Sequence, residues 1–478
     1  MRFNCWFENA ETQYFLETIQ NAVYEHSVAN IVRDIMILLH RMLLSQMKSL
    51  LPVGLKLKCF HNAFKAIQGG GGGGGGGGGI IKKTALQKND RLSKLHQCNV
   101  FFKREDQQTI RSFKIRGAYN KIINSPASAT CITVSAGNHA QGVAFICNEL
   151  KRNHHIFLPE ITPLQKVNRI KYFGGDYAKL HLVGTTFDES LLYANKFSVE
   201  CENSVFVHPF DDTHVIVGQG TVAMEIYEEL KLQSIKPDVI MCPVGGGGLI
   251  SGVGSYSKHV NEKCMIYGVE AENANSMELS LKNGRITSVE NLDTFVDGAS
   301  VKTVGTSTFE IARHCVDGMF TVENNHLCKT MIDVYQNDGI ILEPAGALSL
   351  VGLEKIPCGL LKGKNVVCIT SGGNNDITRY PTIIEKALTH QNLKHYFIVN
   401  FAQRPGELLK FMNNVLGVND DITRFEYLKK NNKDYGCVLI GIEVEIPNNI
   451  EKIRNNMSDL GFNYTQIKPG DMLYSQLI

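Results

Sequence analysis

Between residues 81 and 388 the chain alternates short runs of β-branched and aliphatic residues with longer stretches of helical periodicity, and that alternation restricts the fold more than any other feature. The strand-like runs are "CITVS" (131–135), "HHIFLP" (154–159), "VFVHP" (205–209), "VIMCPV" (239–244), "MIYGVE" (265–270) and "NVVCITS" (365–371). Helical stretches such as "THVIVGQGTVAMEIYEELKL" (213–232) lie between them. Parallel strands need a crossover connection, which a helix supplies, so this order predicts βαβ units and a mostly parallel sheet in an α/β protein. Ligands in such sheets sit beyond the carboxyl ends of the strands. Three of the runs end in small or polar clusters, "SAGNHAQG" (135–142), "GGGGLISG" (245–252) and "SGGNND" (371–376), which predicts one binding crevice built from several strand ends.

The last 84 residues, 395–478, have a different rhythm. "HYFIVNF" reads as a strand, "RPGELLKFMNNVL" as a helix, "DITRFEYLKK" and "YGCVLIGIEVE" as two strands, "NIEKIRNNMSDL" as a helix and "FNYTQI" as a last strand. That order is βαββαβ, the ferredoxin-like pattern. Pro405 suits the first position of the first of these helices. At the other end, residues 1–56 look helical but carry no readable motif and form an N-terminal extension of unknown role. Residues 57–80 hold a short helix, "CFHNAFKAIQ", and then the tract Gly69–Gly79.

Composition narrows the function classes. The net charge is +2 with Lys and Arg scattered, so no basic stripe offers a nucleic-acid surface. No run of 18 apolar residues exists, so no membrane span is expected; "IMILLHRMLLSQMKSLL" is broken by His40, Arg41 and Lys48. Glu8, Glu11, Glu17 and Glu25 argue against a transit peptide, and the expected location is the cytoplasm. The thirteen cysteines include no CxxC pair and no zinc spacing. They read as buried thiols in a reducing compartment, with disulfides or a metal as the alternative, and no metal site is expected.

Four stretches could carry chemistry. In "VGGGGLISG", a strand turning through Gly245, Gly246, Gly247 and Gly248 into a helix would aim several backbone N–H groups one way and bind phosphate. It lacks GxGxxG and GK[ST], so neither a dinucleotide nor a triphosphate is indicated; a bare tight turn is the alternative. In "RSFKIRGAYN", Lys114 is flanked by Phe113 and Ile115. It is either a surface lysine with a packed stem or a buried amine whose lowered pKa makes it a nucleophile. In "SAGNHAQG", Ser135 and Asn138 offer side-chain donors and the local N–H groups could hold a carboxylate; the alternative is a helix capped by Ser or Asn. In "SGGN", Ser371 either meets a ligand ring nitrogen or caps a turn.

Taken in order, "SFKIRGAYN", "SAGNHAQGVA", "PVGGGGLISG", "EPAGA" and "SGGN" resemble the pyridoxal-phosphate enzymes of the tryptophan-synthase-β-like fold, and within them the threonine dehydratases. "KREDQQTIRSFKIRGAYN" and "TPLQKVNRIKYFGG" are similar to that family, and "RPGELLKFMNNVLGVNDDITRFEYLKKNN" resembles its single ACT-like regulatory domain. The resemblance runs from about residue 57 to the C-terminus. It implies a two-subdomain, fold-type II catalytic domain over 57–388 and an ACT-like domain over 395–478. It implies pyridoxal 5′-phosphate linked to Lys114, with its phosphate on Gly245, Gly246, Gly247, Gly248 and Leu249. Asn138 would meet the cofactor's 3′ oxygen, and Ser371 the pyridine nitrogen. Ser135, Ala136, Gly137, Asn138 and His139 would hold the substrate carboxylate. The implied reaction is dehydration and deamination of L-threonine to 2-oxobutanoate and ammonia, the first step towards isoleucine. Feedback by isoleucine, or by valine, and a homo-oligomer (dimer or tetramer) are implied with it. Serine dehydratase, serine racemase and threonine synthase share the fold, and a non-catalytic amino-acid sensor is the alternative of another class. One departure is Ala85, in "TALQ", where the family usually has proline.

The long glycine tract fits none of this. With its eleven residues reduced to one, the chain reads "AFKAIQGIIKKTALQ", a helix, its terminal glycine and a short extended entry into the family pattern. The tract is therefore expected to be an insertion in a loop.

Overall fold

In the computed structural model residues 55–69, 79–427 and 433–477 are described. All but the last two residues of the N-terminal extension, and residues 70–78 of the glycine tract, lie outside them. Residues 57–478 form one compact unit. No helix among the described residues is long and apolar enough to cross a membrane.

The middle of the chain builds two sheets where the alternation alone suggested one. The larger contains β1 (Leu86–Lys88), β2 (Asn99–Arg104), β7 (Val239–Pro243), β8 (Met265–Ala271), β9 (Gly318–Val322) and β10 (Asn365–Thr370), in the order β1-β2-β10-β7-β8-β9. All its pairs are parallel except β1 with β2. The smaller contains β3 (Thr130–Val134), β4 (His154–Leu158), β5 (Ala178–Leu182) and β6 (Ser204–Phe206), all parallel, in the order β5-β4-β3-β6. The chain leaves the larger sheet after β2, completes the smaller one, and returns at β7.

Every side chain of β7 is buried, the near-continuous apolar run of a strand covered on both faces. β6 stops earlier than "VFVHP" suggested, because the chain turns at His208, whose Nδ1 accepts the N–H groups of Phe210 and Asp211. The helices that position the site are α1 (Leu57–Gly69), α2 (Lys114–Ile123), α3 (Asn138–Glu149), α4 (Thr213–Leu232), α5 (Gly248–Val260), α6 (Asn324–Asp338), α7 (Pro344–Glu354) and α8 (Tyr380–His390). Asp212 caps α4 by accepting from the N–H groups of His214 and Val215 at 2.8 and 3.1 Å. α7 starts with Pro344, whose missing N–H would be unpaired there in any case, and nearly its whole surface is buried.

The C-terminal part is an antiparallel sheet of β11 (Lys394–Ala402), β12 (Asp421–Tyr427), β13 (Tyr435–Glu443) and β14 (Asn463–Ile467), ordered β12-β13-β11-β14. Helices α9 (Glu407–Asn414) and α10 (Asn449–Asp459) complete the βαββαβ pattern around a core of Phe397, Phe401, Phe411, Ile440, Ile453 and Met457. Pro405 is not at the first position of α9. Gly406 caps that helix in the left-handed region at φ 92°, a conformation a proline two residues from the helix start leaves to the glycine.

A buried ion cluster ties the middle region together. The Arg116 guanidinium on α2 donates to both oxygens of Glu105 and both of Glu225, at 2.7 to 2.8 Å, and Lys103 on β2 donates to Glu225 at 2.7 Å. Arg116, Lys103 and Glu105 are fully enclosed. The cluster joins β2, α2 and α4, and it sits two residues from Lys114.

Candidate active site

The stretches singled out in the sequence meet at the carboxyl ends of β3, β7 and β10, where a parallel α/β fold places ligands. Lys114 is the first residue of α2. Its Nζ donates to the carbonyl of Pro209 at 2.8 Å and lies 5.5 Å from the Phe113 ring centroid. Burial lowers its pKa to about 8, with the Glu343 carboxylate acting in the opposite direction. At that value about one amine in ten is neutral at pH 7, against about one in 2,500 for a free lysine. The reading as an ordinary surface lysine does not hold.

The β7–α5 turn presents a row of backbone N–H groups of the kind that suits an anion. The N–H groups of residues 245–250 find no protein acceptor among the described residues, and they open a helix whose dipole adds positive potential. Gly247 caps α5 at φ 90°, which a side chain would strain. A Cβ at Gly246 would strike the Phe210 ring, one at Gly248 would come within 3.1 Å of Phe210, and one at Gly245 within 2.9 Å of the Ala299 carbonyl. So Gly245, Gly246 and Gly247 are demanded by their surroundings, Gly248 is closely packed, and a simple turn would not need all four. Thr308 Oγ1 donates to the Gly246 carbonyl at 2.7 Å and fixes the turn.

The β3–α3 turn is a second cradle, on the other sheet. Gly137, not Ser135 or Asn138, is the N-cap of α3 and makes no side-chain cap. Ser135 Oγ accepts the Gly137 N–H at 3.1 Å. The N–H groups of Ala136, Asn138, His139 and Ala140 have no protein acceptor among the described residues. Asn138 Nδ2 donates to Glu343 Oε1 and its Oδ1 accepts from Asn374 Nδ2, both at 2.7 Å, which leaves one hydrogen and one lone pair for a ligand. The His139 side chain points elsewhere in chemical terms. Its Nε2 meets the Val207 carbonyl at 2.8 Å, and burial with the nearby Lys114 charge lowers its pKa to about 3, so the ring is neutral and structural while its backbone N–H belongs to the cradle.

The β10 end is laced to the lysine segment. The Phe113 N–H donates to the Ser371 carbonyl at 3.1 Å, Gly373 N–H to the Arg111 carbonyl at 2.9 Å, and Asn374 Nδ2 to the Ile110 carbonyl at 2.7 Å. Ser371 is buried, and its hydroxyl makes one long contact, 3.3 Å, to the Ala345 carbonyl, so it caps nothing.

Two features have no counterpart among the residues chosen from sequence. One is the turn His208–Asp212, the hub of the site. Pro209 holds Lys114, Phe210 walls the glycine cradle, and Asp211 accepts the N–H groups of Thr306, Ser307 and Thr308 at 2.9 to 3.1 Å. The other is Glu343, the N-cap of α7. Burial, reinforced by Asp297, raises its carboxyl to about 7. "EPAGA" signalled the place without giving Glu343 a role.

These residues fit a phosphorylated aldehyde cofactor. One cradle of unpaired N–H groups suits a dianionic phosphate, the amine of depressed pKa suits the aldehyde, and the second cradle suits a carboxylate.

Comparison with known proteins agrees. Residues 79–372 match the family described as pyridoxal-phosphate dependent enzymes, and residues 385–477 the C-terminal regulatory domain of threonine dehydratase. The chain is 43% identical over 402 residues to the biosynthetic L-threonine dehydratase of Halalkalibacterium halodurans, covering 84% of this chain and 96% of that one. It is 46% identical over 406 residues to that of Staphylococcus saprophyticus, covering 84% and 95%. Among solved structures, the processed form of threonine deaminase isoform 2 from Solanum lycopersicum superposes with a TM-score of 0.62 at 35% identity, over 70% of this chain and 96% of that one. The chain belongs to the pyridoxal-phosphate-dependent enzymes, and within them to the threonine dehydratases that carry a C-terminal regulatory domain.

Proposed function

We propose that the protein deaminates L-threonine to 2-oxobutanoate and ammonia, the β-hydroxyl leaving as water and the nitrogen being lost by hydrolysis, so that no net water is consumed. The observation that carries this reading is the convergence of one half-buried amine of lowered pKa, Lys114, with two separate rows of unpaired N–H groups. Pyridoxal phosphate, when bound, supplies the electron sink that acidifies the substrate Cα–H. The N–H groups of residues 245–250 would hold its phosphate, and Ser371 would face its ring nitrogen. A neutral hydroxyl there, unlike a carboxylate, does not keep a ring nitrogen protonated, which favours elimination over a long-lived carbanion. Ser135, Ala136, Gly137, Asn138 and His139 would orient the substrate carboxylate, chiefly through backbone N–H groups. Lys114 Nζ, freed by the incoming amino group, would take the Cα proton, a role its lowered pKa suits.

The regulatory domain supports end-product feedback by isoleucine or valine, and the family supports a homo-oligomer. The described cysteines are free thiols, in keeping with a cytoplasmic location. The test is formation of 2-oxo acid by the purified holoenzyme from threonine and from serine, with and without isoleucine. Threonine should be preferred, and a chain ending at Thr389 should turn over but ignore isoleucine. No 2-oxo acid from threonine overturns the reaction, and a shortened chain that still responds overturns the role of the tail.

A further inference from the structure

Asn138 is the first residue of α3, and its side-chain amide can be turned end for end by half a rotation. One end donates and the other only accepts, so the direction of the amide decides what it offers a ligand. A short series of contacts fixes that direction, and it starts at Asn374, in the turn after β10.

Asn374 Nδ2 donates to the Ile110 carbonyl and to Asn138 Oδ1, each at 2.7 Å. Ile110 is fully buried, and a backbone carbonyl can only accept. Turning the Asn374 amide round would set oxygen against oxygen there and leave a buried carbonyl unpaired. The amide therefore presents its nitrogen, and both hydrogens are used. The Asn138 atom that meets this nitrogen must be an acceptor, Oδ1. That places Asn138 Nδ2 towards Glu343, where it donates to Oε1 at 2.7 Å. Glu343 favours the same direction from the other side, since its carboxyl oxygen would oppose a turned Oδ1. Glu343 is itself held in place. It is the N-cap of α7, its N–H donates to the Gly372 carbonyl at 3.2 Å, and a Cβ at Gly372 would strike Oε1.

Asn374 so joins segments that are 264 and 236 positions away from it in the chain. Ile110 belongs to the segment that leads to Lys114, and Asn138 to the β3–α3 turn. With its direction fixed from two sides, the Asn138 amide keeps one Nδ2 hydrogen for a ligand. A donor at the 3′ oxygen of pyridoxal phosphate favours the anionic form of that oxygen, whereas a carbonyl there would favour the neutral hydroxyl.

We propose that Asn374 is a positioning residue for the cofactor: its two donated hydrogen bonds lock the Asn138 amide so that an N–H, and not the carbonyl, meets the 3′ oxygen of pyridoxal phosphate. This role rests on the assignment of Asn138 to that oxygen. The test is reconstitution of the full chain with pyridoxal phosphate, read by cofactor absorption and by Kd, with the melting temperature of the apoenzyme reading any loss of folding separately. Protonation of the 3′ oxygen moves the cofactor's absorption to shorter wavelength. Asn374→Asp keeps the shape but, when ionised, has no hydrogen to donate. It should shift absorption towards the shorter-wavelength band and raise the Kd about tenfold or more, the size of a lost hydrogen bond to a charged group. Asn374→Ala removes both donors without adding a charge. It should give a smaller shift of the same sign, because Glu343 still favours the native direction, and it carries the comparison if the aspartate variant does not fold. Asn138→Ala alone should give the spectral shift, and either Asn374 change in that background should leave the spectrum as it is and alter the Kd less than about twofold. A residue that only braces the fold would add its full effect. Asn374 variants with the wild-type spectrum, or with effects undiminished in the Asn138→Ala background, overturn the role of Asn374 and leave Asn138 standing. Asn138→Ala with the wild-type spectrum overturns the assignment of Asn138, and the role of Asn374 with it.

Discussion

Gly246→Ala tests the cradle most directly. The added Cβ would fall among the Phe210 ring carbons, with Cδ2 at 2.5 Å, about 1 Å short of ordinary van der Waals separation. Phe210 cannot yield freely. Its N–H is held by His208 Nδ1, the His208 ring packs edge-on at 4.7 Å, and the preceding Pro209 carbonyl holds Lys114. Overpacking of this kind costs about 1–3 kcal/mol. If the strain is present with and without cofactor, the melting temperature falls. If the ring swings aside into the cradle, the cost appears on cofactor binding, as about a 5- to 150-fold rise in Kd. Differential scanning fluorimetry of the apoenzyme and spectrophotometric titration with pyridoxal phosphate separate the two. Phe210→Ala in the same chain removes the obstacle and should recover most of the loss. A single variant with wild-type melting temperature and Kd, or a double variant no better than the single, refutes the reasoning.

Other outcomes follow from the charges. Lys114 has its pKa lowered to about 8 by burial, so the folded state disfavours its charged form. That penalty is fully present below pH 8 and fades as pH rises towards the unfolded value of about 10.4, so apoenzyme stability should gain between those limits and Lys114→Met should flatten the gain. Reconstitution by added pyridoxal phosphate should speed up through a midpoint near 8, and Glu343→Gln, by removing the anion that raises the Lys114 pKa, should move that midpoint lower. Glu225→Gln leaves Lys103 and Arg116 with less compensation in a sealed cluster and should cost about 3–5 kcal/mol, read as a lower urea midpoint.

What the sequence made legible depends on whether side-chain identity carried the information. Lys114 and Gly245 to Gly248 stood out because a lysine between apolar neighbours and a run of bare backbone each carry their signature in residue type. The carbonyl of Pro209 did not, since a backbone acceptor has no signature and its position comes from a turn set by His208. Glu343 was half-readable, flagged by its motif but identified only by the fold that brings it to Asn138 from 205 positions away. β1, β2, β5 and β9 escaped notice: β5 is mostly half-exposed and shows no apolar run, β1 spans three residues, and β2 and β9 are short runs, "NVFFKR" and "GMFTV", that pattern alone does not separate from a helix segment. The division into two sheets is equally invisible to local pattern, which gives strand identity but not which strands pair.

The two glycine tracts differ in their surroundings. Around Gly245 to Gly248 every added Cβ meets a neighbour or a left-handed backbone. At Gly69 an added Cβ meets nothing within 4 Å. The flanks of the long tract also lie side by side, since a Cβ on Gly79 would sit 3.2 Å from the Ile67 carbonyl. Ile67 and Ile81 are buried in one core cluster, so both ends are fixed independently of what joins them. Tyr119 adds a hydrogen bond to the Ala66 carbonyl at 3.1 Å. A shorter connection between two fixed, adjacent ends has less closure entropy to overcome. Each halving of loop length is worth only about 0.6 kcal/mol, so removing most of the tract should gain about 1–2 kcal/mol at most. Deleting residues 70–78 should therefore leave threonine turnover and the pyridoxal-phosphate Kd unchanged and raise the melting temperature slightly. Loss of turnover on that deletion would mean that the fold requires the length of the tract.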